Sequence, residues 1–301
     1  MENIEQVEAV SRMQKYIEEH ITRPITLLEL SRYAGYSPFH CTRIFREIVG
    51  KSPFEYIRAL RLSKAALTLR DGNKRVIDVA FDYLFDSHEG FTRAFSKEFG
   101  ITPYRYKRKP KPITLFMPYS ARDQYKYKTR GAKRMDTKNV NTIFVQVIER
   151  PERKVILKRG KKATHYFEYC EEVGCDIWGL LTSIKDALYE PIGMWLPKKF
   201  RPEGTSEYAQ GVEVSVDYDG EIPDGFDMIT LPPCKMMIFQ GQPFKDEDFE
   251  EEIVSLQEYI DKYDPTLYGY EWANDNAPRF QLNPEGYRGY IEAKPVKALS
   301  K

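Results

Sequence analysis

The chain repeats itself at an offset of fifty residues, and this constrains its fold more than any other feature. Cys41-Thr42-Arg43-Ile44-Phe45 lies over Phe91-Thr92-Arg93-Ala94-Phe95, and Gly50, Ser52, Pro53 and Tyr56 fall on Gly100, Thr102, Pro103 and Tyr106. Upstream the offset becomes forty-nine and pairs Leu27, Leu30, Ser31 and Gly35 with Val76, Val79, Ala80 and Leu84, so one extra residue, near Asp86, sits in the second copy's turn. A self-match of this kind marks one supersecondary unit used twice.

Each copy reads as a short helix, a tight turn and a second helix. In the first, Leu27, Leu30 and Ala34 recur at helical spacing, Gly35 can supply a positive φ, and Ser37-Pro38 is an N-cap followed by proline at the first helical position. The helix from Pro38 to about Val49 puts Cys41, Ile44, Phe45 and Ile48 on one face and His40, Thr42, Arg43 and Arg46 outside it. In the second copy Ser87 caps a helix to about Phe99, with Phe91, Phe95 and Phe99 inward and His88, Glu89, Thr92 and Arg93 outward. Between the copies, Pro53 to Leu69 is a strong helix, about 25 Å long. It would hold the two units at a fixed separation, as a reader of successive major-groove segments about 34 Å apart requires. An earlier helix, Val7 to Ile21, packs behind the first unit.

Charge divides the chain in the same sense. Residues 1–134 hold 26 Lys and Arg against 15 Asp and Glu, whereas residues 135–301 hold 20 against 30. A basic half suits a polyphosphate, because each Lys or Arg set against a phosphate releases a condensed counterion. No apolar run approaches the ~18 residues of a membrane span, and the start MENIEQVEAV is acidic, so a cytoplasmic chain with no membrane partner is expected. Cys41, Cys170, Cys175 and Cys234 form no C-x-x-C pair or zinc-finger spacing, so no metal is expected and packed thiols are the simplest reading.

On these residues the segment 8–108 resembles the DNA-binding domain of the AraC/XylS family of transcription regulators, and AFDYLFDSHEGFTRAFSKEFGITPYRYK is similar to the family's signature. The resemblance implies that Phe39, Thr42 and Arg43 of the first reading helix, and His88, Glu89, Thr92 and Arg93 of the second, meet double-stranded promoter DNA. It also implies contact with RNA polymerase. The residue types leave alternatives open: arginine grips guanine O6 and N7, a phosphate or a carboxylate, and Glu89 also suits the first turn of a helix. One departure is Leu84, where the family usually has glycine; a leucine held at positive φ costs on the order of 1 kcal/mol or more and casts the second turn's shape into question.

From Arg105 the chain reads RYKRKPKPITLFMP and then RDQYKYKTRGAKR, which predicts a basic, extended linker over residues 109–140. Beyond it the periodicity turns strand-like at Ile143–Val147, Val155–Leu157, Val212–Val216, Met228–Leu231, Lys235–Gln240, Arg279–Leu282 and Arg288–Val296, interrupted by helices over Thr164–Ala187 and Asp246–Tyr263. The expected fold class is therefore an all-α tandem helix-turn-helix domain over residues 1–108 followed by an α+β domain over 141–297. VIERPERKVILKRG, Met194-Trp195-Leu196-Pro197, GVEVSV, Leu231-Pro232-Pro233 and RGYIEAKPV make the second half similar to the GyrI-like effector-binding domain. That resemblance implies a groove for a small molecule, often cationic and aromatic, with an acidic residue in it.

Glu292, two residues from Tyr290 on the last strand, is the matching acid, and Trp195, Trp272 and Trp178 offer aromatic faces that attract cations, although a tryptophan is also ordinary core. Glu213 fits an exposed polar stripe with Ser215 and Asp217, and the acidic run 246–252 reads as a solvated helix start. No Ser-His-Asp arrangement, metal cluster or phosphate loop is present, so no catalytic residue or cofactor is expected. The reading is a ligand-modulated transcription regulator; the alternative is a small-molecule hydrolase using Glu292 and Tyr290.

Overall fold

The computed structural model describes residues 4–121, 142–245 and 248–299, in two units, residues 1–133 and 134–301. In the first unit the helices are α1 (Ile4–Glu19), α2 (Leu27–Ala34), α3 (Pro38–Val49), α4 (Pro53–Asp71), α5 (Val76–Asp82), α6 (His88–Phe99) and α7 (Pro103–Arg108). Local chemistry starts them: Ser37, Ser52, Ser87 and Thr102 each accept the N3 backbone N–H of the helix they open, and Pro38, Pro53 and Pro103 fill the first position of α3, α4 and α7.

The two turns match more closely than their residues suggest. Gly35 ends α2 at φ 75°, and Leu84 takes the same place after α5 at φ 61°, the one positive-φ residue other than glycine among the described residues. Tyr36 N–H reaches back to Ser31 O at 3.2 Å, and Phe85 N–H to Ala80 O at 2.9 Å, so both turns share this closing bond, although Gly35 N–H bonds Ser31 O four residues back and Leu84 N–H bonds Phe81 O three back. Leu84 is therefore held in a conformation that costs a leucine on the order of 1 kcal/mol, and Leu84→Gly is expected to raise the melting temperature by a few degrees. An unchanged or lower midpoint by circular dichroism would contradict that cost.

The core explains why α4 has no apolar stripe. Tyr56, Ile57 and Leu60 belong to one cluster with Val10, Met13, Ile17, Leu30, Ile44 and Phe45. Leu62, Ala65, Ala66 and Leu69 belong to another with Val79, Phe91, Phe95 and Tyr106. A helix shared between two cores buries apolar residues on more than one face, so no single stripe stands out. The segment after residue 108 corrects the expectation of a free linker: Arg105 and Arg108 lie in or at the end of α7, Ile113 and Leu115 are buried in the second cluster and Ala121 in the first. The segment forms no helix or strand over residues 109–120, yet burying these apolar side chains ties it to the helices. RDQYKYKTRGAKR lies outside the described residues.

The second unit is an antiparallel sheet of β1 (Phe144–Arg150), β2 (Arg153–Arg159), β3 (Ile192–Trp195), β4 (Tyr208–Val214), β5 (Asp227–Leu231), β6 (Cys234–Gln240), β7 (Tyr270–Trp272), β8 (Arg279–Gln281) and β9 (Ile291–Ala298). Its order is β1-β6-β9-β8-β3-β4-β2-β5, with β7 also on β9. The two halves trade first strands: β1 pairs with β6, β5 with β2, and the halves meet where Met194 of β3 faces Phe280 of β8. Helices α8 (Tyr166–Val173), α9 (Asp176–Ser183) and α10 (Phe249–Lys262) pack on one set of strand residues, such as Ile156 and Val212 against Leu181, and Phe239 against Ile260. The alternate set, including Leu157, Met194, Ala209, Ile238, Phe280 and Ala293, clusters without any residue of these helices.

Several expected elements move. Gly174, at φ 105°, splits the single helix expected over Thr164–Ala187 into α8 and α9. β4 starts at Tyr208 rather than Val212, because every residue of it is buried and no alternation survives. Val216 falls outside β4, and the last strand begins at Ile291 rather than Arg288. Asp246 and Glu247 lie outside the described residues. Among the described residues no helix is long and apolar enough to cross a membrane.

Candidate functional site

The outward face of α3 is open. Cys41, Ile44 and Phe45 are buried, whereas Phe39 is 82% exposed and Arg43 and Arg46 are also exposed. Thr42 is half-buried and its hydroxyl donates to Pro38 O of its own helix at 3.1 Å. The Arg43 guanidinium rests 3.2 Å from His40 Nδ1 and 3.9 Å from Glu47 Oε1, and the His40 ring packs on Tyr36 at 4.7 Å. Exposed contacts of this kind are worth under about 1 kcal/mol, so Arg43 is poised on the surface and readily exchanges them. On α6, His88, Glu89 and Arg93 are exposed and Thr92 is half-buried, with its hydroxyl shielded and without a hydrogen-bond partner. Ser87 Oγ, 3.0 Å from Gly90 N, makes the cap. Glu89 is therefore not needed as one, and its remaining helical role is its charge in the first turn.

Arg93 also borders a cleft of about 440 Å³ between the first half of α4 and the second turn, where Arg58 and Arg61 face Asp86 and Leu84. Arg61 is engaged by the carbonyls of Ile21 and Arg23 at 3.0 and 2.9 Å. Arg58 is exposed.

In the second unit the five nominated ligand residues do not converge. Glu292 is fully buried, and its carboxylate meets Arg279 Nε, the Tyr290 hydroxyl at 3.1 Å and Gln257 Nε2 at 3.5 Å. Burial, and next the neighbouring Glu292 charge, hold the Tyr290 hydroxyl well above the usual phenol range. The Arg279 guanidinium lies 4.7 Å over Trp195, so Trp195 joins this group through a cation the protein itself supplies. Trp272 sits apart with Lys294 over its ring at 4.3 Å, and half-buried Trp178 is on α9.

The opposite, helix-free face holds a groove of about 290 Å³ bordered by Arg150, Glu213, Tyr189, Phe280, Ile192 and Ile238. Glu213, expected on an exposed stripe, is 2% exposed. It binds both Arg150 and Arg153, the latter at 2.7 Å.

The family model that the chain matches lies in the first unit. Residues 30–109 match the family model described as a helix-turn-helix domain. The chain is 43% identical over 95 residues to the right origin-binding protein of Escherichia coli (strain K12), a stretch that is 32% of this chain and 33% of that one. It is 38% identical over 98 residues to the HTH-type transcriptional activator AarP of Providencia stuartii, covering 33% of this chain and 73% of AarP. The chain belongs to the AraC/XylS family of transcription regulators. Among solved structures it is similar to a probable AraC family transcriptional regulator from Rhodopseudomonas palustris CGA009, with 27% identity, a TM-score of 0.33, and coverage of 35% of this chain and 99% of that one. The chain spans about a third of the length of the right origin-binding protein.

Two residues escape a reading of the sequence in family terms. Arg58 falls on Arg108 at the same fifty-residue offset, but nothing in the repeat puts it beside the second turn, where it lines the cleft with Phe54 one helical turn before it. Arg150 sits in a run of charges at the end of β1, where nothing local marks it as buried beside Glu213, sixty-three residues on.

Proposed function

We propose that this AraC/XylS-family member is a sequence-specific regulator in which α3 and α6 of one chain enter successive major-groove segments of a single duplex site. The observation that carries it is the pair of outward faces, exposed at Phe39 and Arg43 on one and at His88, Glu89 and Arg93 on the other, with Thr42 and Thr92 half-buried among them, mounted on two cores that share α4. Arg43 and Arg93 have the fork geometry to read guanine edges, and the remaining cations of the basic half supply sequence-independent attraction to phosphates. Activation through RNA polymerase is part of the same reading, supported by the likeness to AarP, which is named a transcriptional activator.

Small-molecule control by the second unit, as a GyrI-like domain over about residues 141–297, is supported by its two strand-trading halves and by its groove. Glu292, Tyr290 and Trp195 remain candidates as a separate group on the helix-packed side of the sheet, with Trp272 and Trp178 outside it. A cationic guest there has to displace Arg279 from a buried carboxylate.

Footprinting the full chain on genomic fragments should show two protected segments about one helical turn, ~10 base pairs, apart at each site. A single protected segment would sink the two-groove reading. Repeating the footprint with a panel of small molecules tests control, which falls if none changes DNA affinity. Arg58→Ala is expected to weaken binding evenly on all sequences and to reduce the salt dependence by about one phosphate contact. A sequence-dependent loss would instead make Arg58 a base reader.

A further inference from the structure

We infer that the groove on the helix-free face of the sheet binds a small apolar or aromatic carboxylate, gripped by the Arg150 guanidinium. This rests on the reading of the second unit as an effector-binding domain, and it names the effector's chemical class.

Charge balance is the first support. The side chains of Arg150, Arg153 and Glu213 are 10%, 2% and 2% exposed, so two guanidinium groups share one carboxylate out of water. Arg153 is satisfied, with the carbonyls of Pro151 and Pro232 at 3.1 and 3.3 Å and Cys234 Sγ at 3.6 Å besides Glu213. Arg150 is not: its Nε is shielded and has no hydrogen-bond partner. The other charged pair at the groove cancels, because Arg288 holds Glu190 through two bonds of 2.5 and 2.7 Å. One cation is thus left over in a low-dielectric setting, where an unbalanced charge is costly until an anion arrives. Burial, and then the like charge of Arg153, push the Arg150 guanidinium below its ordinary range.

Shape is the second support. Arg150 lies over the rings of Tyr189 at 4.3 Å and Phe280 at 5.8 Å, which fix its plane. Ile148, Ile192, Ile238 and Ile291 line the walls. A planar guanidinium matches a carboxylate with two parallel N–H bonds, and about 290 Å³ suits a one- or two-ring acid. A cationic guest of the same size would meet the surplus charge and be repelled.

Titrating the full chain by calorimetry with 2-naphthoate and with 2-naphthylmethylammonium separates charge from shape. Naphthoate is expected to bind, the ammonium on the order of tenfold more weakly or not at all, and Arg150→Gln to reduce naphthoate affinity by tenfold or more. Arg150→Gln leaves the Arg153–Glu213 pair intact, so a normal thermal transition should accompany the loss. If that variant does not fold, Arg150→Lys, which keeps the charge and loses the fork, should still weaken naphthoate severalfold. Equal binding of the two compounds, no naphthoate binding, or unchanged affinity in the Arg150 variants overturns the carboxylate site. The effector reading survives such a result wherever another compound shifts the DNA footprint.

Discussion

Glu213→Gln is expected to lower the stability of the second unit by about 3–5 kcal/mol, because it strands buried cations. Glu213 is the carboxylate shared by Arg150 and Arg153, whose side chains are only 10% and 2% exposed. Glutamine keeps the size and one acceptor oxygen but removes the compensating charge, so the loss is electrostatic and not a cavity. In calorimetry of the full chain, the transition of the sheet unit should fall on the order of 10 °C while the helical unit's is unchanged. Adding Arg150→Gln should return about 1 kcal/mol or more, since one of the two uncompensated cations disappears with it. Strictly additive losses would show that Arg150 and Glu213 are not coupled.

Arg43→Ala should weaken binding to the preferred site by about 1–3 kcal/mol, and the loss should be confined to one or two base pairs, at which the preference flattens. In the free protein the Arg43 guanidinium makes only exposed contacts to His40 and Glu47, which offset little of what a base edge provides. Competition binding with a series of single-base substitutions reads this directly. An equal loss on every sequence would reassign Arg43 to a phosphate. The matching change at Arg93 should move a different base pair, about one turn away.

The helical half was legible because its signals are local. Ser37-Pro38, Ser52-Pro53 and Ser87 sit within three residues of the amides they cap, and the repeat aligns them. The sequence leaves the backbone at Leu84 open, since its alignment with Gly35 asks for a positive φ that a leucine resists, and the structure gives it φ 61°. The sheet half was less legible because burial on both faces erases alternation, as along Tyr208–Val214, and because ion pairs join distant strands. Glu292 was correctly singled out as a strand carboxylate, yet Arg279, thirteen residues away on a neighbouring strand, neutralises it. Glu213 looked solvent-facing beside Ser215 and Asp217 until β2 brought Arg153 to it. The outward faces of α3 and α6 follow from helical period alone, whereas the Arg150 groove depends on register.

A single rod, α4, contributes side chains to both cores, so neither reading helix can swing independently without opening apolar contacts. On the proposed two-groove reading, the two contacted segments of a DNA site therefore have to lie in fixed phase. Inserting five base pairs between them would turn one segment to the far side of the duplex, where a helix tied to the shared rod could not follow without opening its core.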